Sequence, residues 1–93
     1  MYEISFSNEF LRDAKKLKKK HYDLSKLYEV FHVLERDDTE TLHRKYRDHQ
    51  LKGSLKDYRE LHIAADWLLI YRVEGRVLLI TMMRTGSHDE LLR

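Results

Sequence analysis

The chain has no cysteine and no proline, and glycine occurs only at 53, 75 and 86. Without cysteine there is no disulfide, no thiolate metal site and no cysteine nucleophile. Without proline, punctuation of the chain falls to the three glycines. No run of 18 or more apolar residues occurs, so no membrane span is expected. The opening MYEISFSNEF carries acids and runs straight into a structural pattern, so no signal peptide is expected. There are no repeats, no low-complexity segments, no G-x-S-x-G and no phosphate-binding glycine loop. Together these absences point to a cytoplasmic protein without nucleophilic-enzyme machinery.

What is present fits one domain, 1–93, with a single modest core. Hydrophobic residues make up 42% and charged residues 37%, a globular composition with a heavily charged surface. The formal net charge is only +2, but it is unevenly spread. Residues 15 to 20 hold five lysines, and His43 to Lys52 carries Arg44, Lys45, Arg47 and Lys52 against Asp48 alone. Such patches attract polyanions, although a lysine run is also what a solvated helix face looks like.

The hydrophobic pattern changes period midway. Tyr2 to Phe6 alternates as a short strand, and Ser7 or Asn8 can cap a helix with Phe10, Leu11, Ala14 and Leu17 on its apolar stripe. Tyr22 and Asp23 break that helix. Asp23 can cap a second, with Leu24, Leu27, Phe31 and Leu34 as its stripe, making a helical hairpin. Arg36 to Asp48 reads as polar and irregular, with at most a helical turn near Glu40. Arg59 to Ala64 alternates, Ala65-Asp66 is a turn, and Trp67 to Val73 is apolar on both faces, as a central strand is. Glu74-Gly75 signals a hairpin into a strand over Arg76 to Arg84. Ser87 to Glu90 is a capping-box pattern, which predicts a short C-terminal helical turn. The expected fold class is α+β, in the order β-α-α-β-β-β: a strand and helical hairpin packed on a small antiparallel sheet. The helices cover one face of that sheet. The other is left for a partner chain or a substrate groove.

Six histidines are many for this length. His21, His32 and His43 lie in the helical half or the loop after it and read as surface or packing residues. His49 precedes Leu51 and Gly53, His62 points to the polar side of a strand, and His88 follows Gly86, all places where sites are built. Zinc can take three imidazoles and a carboxylate such as Asp66. However, the spacing of positions 49, 62 and 88 forms no recurrent ligand motif, and neither a metal nor another cofactor is expected. Acid–base cleavage of RNA through the 2′-hydroxyl suits the residue types better. It needs a base for the 2′ proton, an acid for the 5′ oxygen and cations around the phosphorus. Histidine serves as either acid or base near neutral pH, and Arg84 offers a planar fork for phosphate.

Three runs carry a family resemblance. Asp48-His49-Gln50-Leu51-Lys52-Gly53 resembles D-H-x-L-x-G. The stretch from Tyr58 to Tyr71, YRELHIAADWLLIY, resembles Y-R-[DE]-x-H-[IV]-x-x-D-W-[IL]-L-I-Y. Arg84-Thr85-Gly86-Ser87-His88 resembles R-T-G-[ST]-H. These motifs, in this order across about half the chain, are similar to those of the YafQ branch of the RelE toxins.

The resemblance implies a RelE-like fold and a ribosome-dependent endoribonuclease that cuts mRNA in the ribosomal A site. His49, His62, Asp66 and His88 match the family's catalytic positions. By analogy His88 is the general acid and His49 the candidate base, while His62 and Asp66 orient groups or stabilise charge. Arg84, Glu60, Trp67 and Lys52 are the implied substrate contacts. Glu60 stands where the family often has aspartate, and for Trp67 a core position is the alternative to stacking on a base. Leu92 stands roughly where the family commonly has an aromatic residue. The implied partners are the ribosome with its mRNA and an antitoxin that wraps the toxin in a hetero-oligomer, with operator DNA reached only through the antitoxin. Two other readings stay open: a non-enzymatic binding module like the gyrase-directed ParE toxins of the same fold, and an inactive relative acting as co-repressor. The histidines argue against the first. The nuclease reading expects positions 49, 62, 66 and 88 on one concave, cation-lined surface.

Overall fold

The computed structural model describes residues 2–75 and 79–92. Strand β1 (Glu3–Phe6) leads into helices α1 (Asn8–Lys19), α2 (Ser25–Glu35) and α3 (Thr39–Tyr46). The two-residue strand β2 (His49–Gln50) and one 3-10 turn (Gly53–Leu55) follow. Then come β3 (Tyr58–Ala64), β4 (Trp67–Glu74), β5 (Leu79–Gly86) and a last helix α4 (His88–Leu92). The sheet order is β1-β5-β4-β3-β2. The expected antiparallel meander is β3–β4–β5; β1 joins its edge parallel to β5. Of the strand anticipated over Arg76 to Arg84, Arg76, Val77 and Leu78 lie outside the described residues.

The helix starts are chemically legible. Ser7 Oγ accepts from Phe10 N at 2.9 Å and donates to the Met83 carbonyl at 2.8 Å, so one hydroxyl caps α1 and ties it to β5. Asp23 accepts from Ser25 N at 3.1 Å at the start of α2. The buried side of α1 is Phe10, Asp13 and Leu17. Leu11, expected on the stripe, is exposed, because one residue beyond Phe10 is about 100° around the helix. On α2 the buried positions are Leu27, Val30, Val33 and Leu34.

Where an irregular stretch was expected, α3 forms two full turns. Asp38 caps it, accepting from Thr41 N at 3.1 Å. Its apolar stripe is only Leu42 and Tyr46, both buried, too thin to read as a period. No glycine marks its end. Arg47 takes the left-handed conformation itself, at φ 52°.

The core lies between the helices and one sheet face. Leu61, Leu69, Tyr71, Ile80 and Met82 from the strands meet Phe10, Leu17, Leu27, Val30 and Leu34 from the helices. Each fully buried aliphatic side chain contributes on the order of 1.5–3 kcal/mol. Strand alternation sends Glu60 and His62 on β3, and Leu68 and Ile70 on β4, to the opposite face. Among the described residues, no helix is long and apolar enough to cross a membrane.

Candidate functional site

The register brings the chemistry together. His49 pairs with Glu60, Glu60 with Ile70, and Ile70 with Arg84, one row running across four strands. Residues directly opposite in adjacent strands lie side by side on one face, so His49 and Glu60 are neighbours, and His62 stands two residues along β3 from Glu60. Glu60 Oε1 lies 3.7 Å from His49 Nε2 and 3.5 Å from His62 Nε2. The two rings are 6.3 Å apart between centroids. Glu60 is buried, while half of the His49 side chain and about a quarter of the His62 side chain reach solvent. A buried carboxylate thus sits at the floor with an imidazole on either side.

The His49 ring has a defined orientation. Its Nδ1 lies 3.0 Å from the Arg47 carbonyl. A carbonyl only accepts, so Nδ1 carries the proton. In the neutral ring, Nε2 then holds the lone pair and faces the Glu60 side of the site. His62 differs: its Nδ1 is buried and, among the described residues, has no hydrogen-bond partner.

Asp66 and His88 form a second group. Asp66, in the β3–β4 turn, accepts from the His88 backbone N–H at 3.2 Å, which joins the turn to the first residue of α4. The expected capping box is present: Ser87 Oγ accepts from Glu90 N, and Glu90 Oε1 accepts from Ser87 N, each at 3.2 Å. Gly86, at φ 154°, makes the bend between β5 and α4, and a Cβ there would lie 3.4 Å from Glu90 Oε1 and 3.5 Å from Leu91 Cδ2. His88 and Asp66 are both exposed. The row His62–Leu68–Gly86 links the two groups across β3, β4 and β5. Two strand spacings put the backbones of His62 and Gly86 roughly 10 Å apart. None of the four residues expected to be catalytic is sealed in the core.

The expected substrate contacts fare unequally. Trp67 is not available for stacking: it is 4% exposed, meets Tyr22 edge-on at 5.0 Å, and donates from Nε1 to Thr85 Oγ1 at 2.9 Å. Its ring is a core element, because the indole N–H has a buried acceptor and both faces are covered. Arg84 gives much of its fork to the protein. Nε and Nη2 donate to the two Asp13 oxygens at 2.6 and 3.1 Å, leaving Nη1 as the end open to a phosphate. Glu60 is the hub of the histidine pair and makes no outward contact of its own. Lys52 is exposed just before the left-handed Gly53. The side chain of Leu92 lies outside what the structure describes.

Two functional groupings were not anticipated. Asp13 accepts from Arg84 and from Thr85 N at 3.0 Å, pinning α1 to β5 beside the site. A carboxylate on the apolar side of α1, between Phe10 and Leu17, was the available signal. The other joins the buried Asp48 and Tyr71 to the half-buried Arg59, on the helix-facing side of β3. The five lysines between positions 15 and 20 are all exposed, and Lys20 Nζ lies 3.6 Å from Glu90 Oε2. The basic end of α1 therefore adjoins the helix that carries His88.

The sequence and the fold both have known counterparts. The family described as "Bacterial toxin of type II toxin-antitoxin system, YafQ" matches residues 2–93. The mRNA interferase toxin YafQ of Escherichia coli K12 is 37% identical over 89 residues, covering 96% of this chain and 94% of that protein. A chain of the crystal structure of the E. coli DinJ–YafQ complex superposes with a TM-score of 0.86 at 35% identity, over the whole of both chains. A metal-bound toxin from Helicobacter pylori does so with a TM-score of 0.86 at 43% identity, over 99% of this chain and all of that one. With the family model spanning nearly every residue, and two histidines and a carboxylate gathered on the open sheet face, the chain belongs to the YafQ family of toxins of type II toxin–antitoxin systems.

Proposed function

We propose that this toxin is a ribosome-dependent mRNA endoribonuclease that works by acid–base chemistry through the 2′-hydroxyl. The observation that carries the reading is the His49–Glu60–His62 cluster, with His49 Nδ1 3.0 Å from the Arg47 carbonyl. In the reaction, His49 Nε2 takes the 2′ proton, and the 2′ oxygen attacks the phosphorus. The bond from phosphorus to the 5′ oxygen breaks, and His88 returns a proton to that oxygen. The products are a 2′,3′-cyclic phosphate and a 5′-hydroxyl. Glu60 offsets the positive charge that forms on His49, and the partly exposed His62 ring stands against the same carboxylate oxygen and helps hold the charge there. Asp66 holds the start of α4 and so places His88. The Nη1 end of Arg84 and Lys52 face the RNA backbone, and the lysines of α1 contact ribosomal RNA.

The partner that silences the toxin is an antitoxin, by likeness to the E. coli DinJ–YafQ complex. The test is His88→Ala, assayed by primer extension on translated message. Cleavage is lost while antitoxin binding persists; undiminished cleavage removes His88 from the mechanism.

One further observation favours a second property of the same site. One ring nitrogen each of His49 and His62 and one Glu60 oxygen lie within 4.8 Å of one another. Two imidazoles and a carboxylate are a donor set for zinc or copper, and a relative from H. pylori is described as a metal-bound toxin. An ion there would occupy the nitrogen that the base needs, so it would inhibit. Added zinc lowers cleavage and a chelator restores it, with one ion bound by calorimetry. Calorimetry without binding ends this second reading and leaves the first intact.

A further inference from the structure

His49 stands on a strand of only two residues, too little ladder to hold a side chain in one pose. The residues just before it supply the hold. Asp48 is buried and points away from the open face. One of its carboxylate oxygens accepts from Arg59 Nε at 2.7 Å and lies 2.6 Å from Arg59 Nη2 in the same ion pair. The other accepts from the Tyr71 hydroxyl. Arg59 and Tyr71 are cross-strand partners on β3 and β4, so the clamp ties the residue just before β2 to both of those strands. A buried carboxylate is tolerable only when its charge is met and both oxygens have partners: here a guanidinium holds one oxygen and a hydroxyl the other. Burial first, and then the charge of Asp48, push the Tyr71 hydroxyl far above its ordinary value, so it stays a donor.

The clamp has a consequence on the other face of the strand. Asp48 N donates to the Leu42 carbonyl at 3.0 Å, and Arg47 is held left-handed at φ 52°, a conformation a non-glycine residue adopts only when its surroundings impose it. The Arg47–Asp48 peptide is thus fixed by α3 on one side and by the carboxylate on the other. The carbonyl of that peptide is the acceptor for His49 Nδ1. We propose that the Asp48–Arg59–Tyr71 clamp is the positioning device for His49. It fixes the Arg47 carbonyl, that carbonyl keeps the ring proton on Nδ1, and Nε2 is thereby left as the lone-pair nitrogen beside Glu60. The inference rests on the reading of His49 as the base. Asp48, Arg59 and Tyr71 touch no reacting atom; they act through the peptide and the tautomer it selects. A ring that spends its time in the other tautomer, or rotated away, has no lone pair where the 2′ proton is taken.

The experiment uses the full chain labelled with nitrogen-15 at histidine. Long-range proton–nitrogen correlation spectra identify the tautomer of each ring at a pH where the rings are neutral. The variants are Arg59→Lys, which keeps the charge and loses the fork, and Tyr71→Phe, which removes one donor and keeps the ring. In the unaltered protein His49 shows the Nδ1–H form. In each variant that form gives way to a mixture, with the His62 and His88 spectra unmoved. The catalytic constant falls about tenfold or more at unchanged KM. Two results overturn the proposal: an unaltered protein whose His49 carries its proton on Nε2, or a folded variant whose His49 spectrum is unchanged. The first needs no substitution and decides the matter even where a variant fails to fold. If the tautomer responds as expected but the unaltered protein cuts no RNA, the nuclease reading fails and the clamp stands.

Discussion

Thr85→Val tests the buried polar chain that keeps Trp67 in the core. Thr85 Oγ1 accepts from Trp67 Nε1 at 2.9 Å and donates to the Leu68 carbonyl at 2.8 Å, with Thr85 2% exposed. Valine preserves the shape and removes both bonds. The indole N–H then has no acceptor, which costs about 1–3 kcal/mol. The Leu68 carbonyl loses one of its bonds, worth about 1 kcal/mol. The added methyl returns on the order of 0.8 kcal/mol. The net loss is about 1–3 kcal/mol. For a domain of this size that lowers Tm by roughly 5–20 °C. Thermal unfolding followed by circular dichroism reads it. The double variant Trp67→Phe with Thr85→Val adds a coupling measurement: removing both partners costs less than the sum of the single losses, by about 1 kcal/mol or more. Cleavage by the folded single variant stays near that of the parent, because Trp67 has no face toward RNA. A Tm unchanged within a few degrees, strictly additive losses, or cleavage that falls with Trp67→Phe at unchanged stability would each refute the assignment of this tryptophan to the core.

Replacing Lys15, Lys16, Lys18, Lys19 and Lys20 with glutamine weakens ribosome association and flattens its dependence on log salt by roughly 3–4 units, read by sedimentation at several salt concentrations; an unaltered slope assigns the run to a solvated face. Gly86→Ala, with a left-handed φ and a new methyl against Glu90 and Leu91, costs about 1–2 kcal/mol and displaces α4, so cleavage falls more than antitoxin binding in paired primer-extension and pull-down assays. Acid loosens α4. The Ser87 N–H and hydroxyl, and then Lys20, hold the exposed Glu90 carboxyl below its ordinary value. A group depressed on folding stabilises fully above its unfolded value and loses that contribution as pH falls through the folded one. Amide exchange at Ser87 and His88 therefore accelerates as pH drops below the ordinary carboxylate range, and Glu90→Gln removes that pH dependence.

The sequence by itself determined the helical hairpin, the three-stranded meander, the turn at Ala65-Asp66 and the capping box before α4. All of these are written in local periodicity and in side chains that bond to backbone within four residues. It also marked the motif histidines. What only the tertiary structure decided is which groups meet. α3 escaped notice because its apolar stripe is two residues wide and its end is carried by a left-handed arginine instead of a glycine. Strand β2 is too short to have a period, yet its pairing with β3 brings His49 to Glu60. Arg84 looked free for phosphate until α1, 71 residues earlier, presented Asp13 to it. The Asp48–Arg59–Tyr71 clamp joins positions 11 and 23 residues apart. Hydrogen bonds and ion pairs of this kind depend on distance in space, and a one-dimensional pattern carries that distance only where the chain returns to itself within a helical turn or a hairpin.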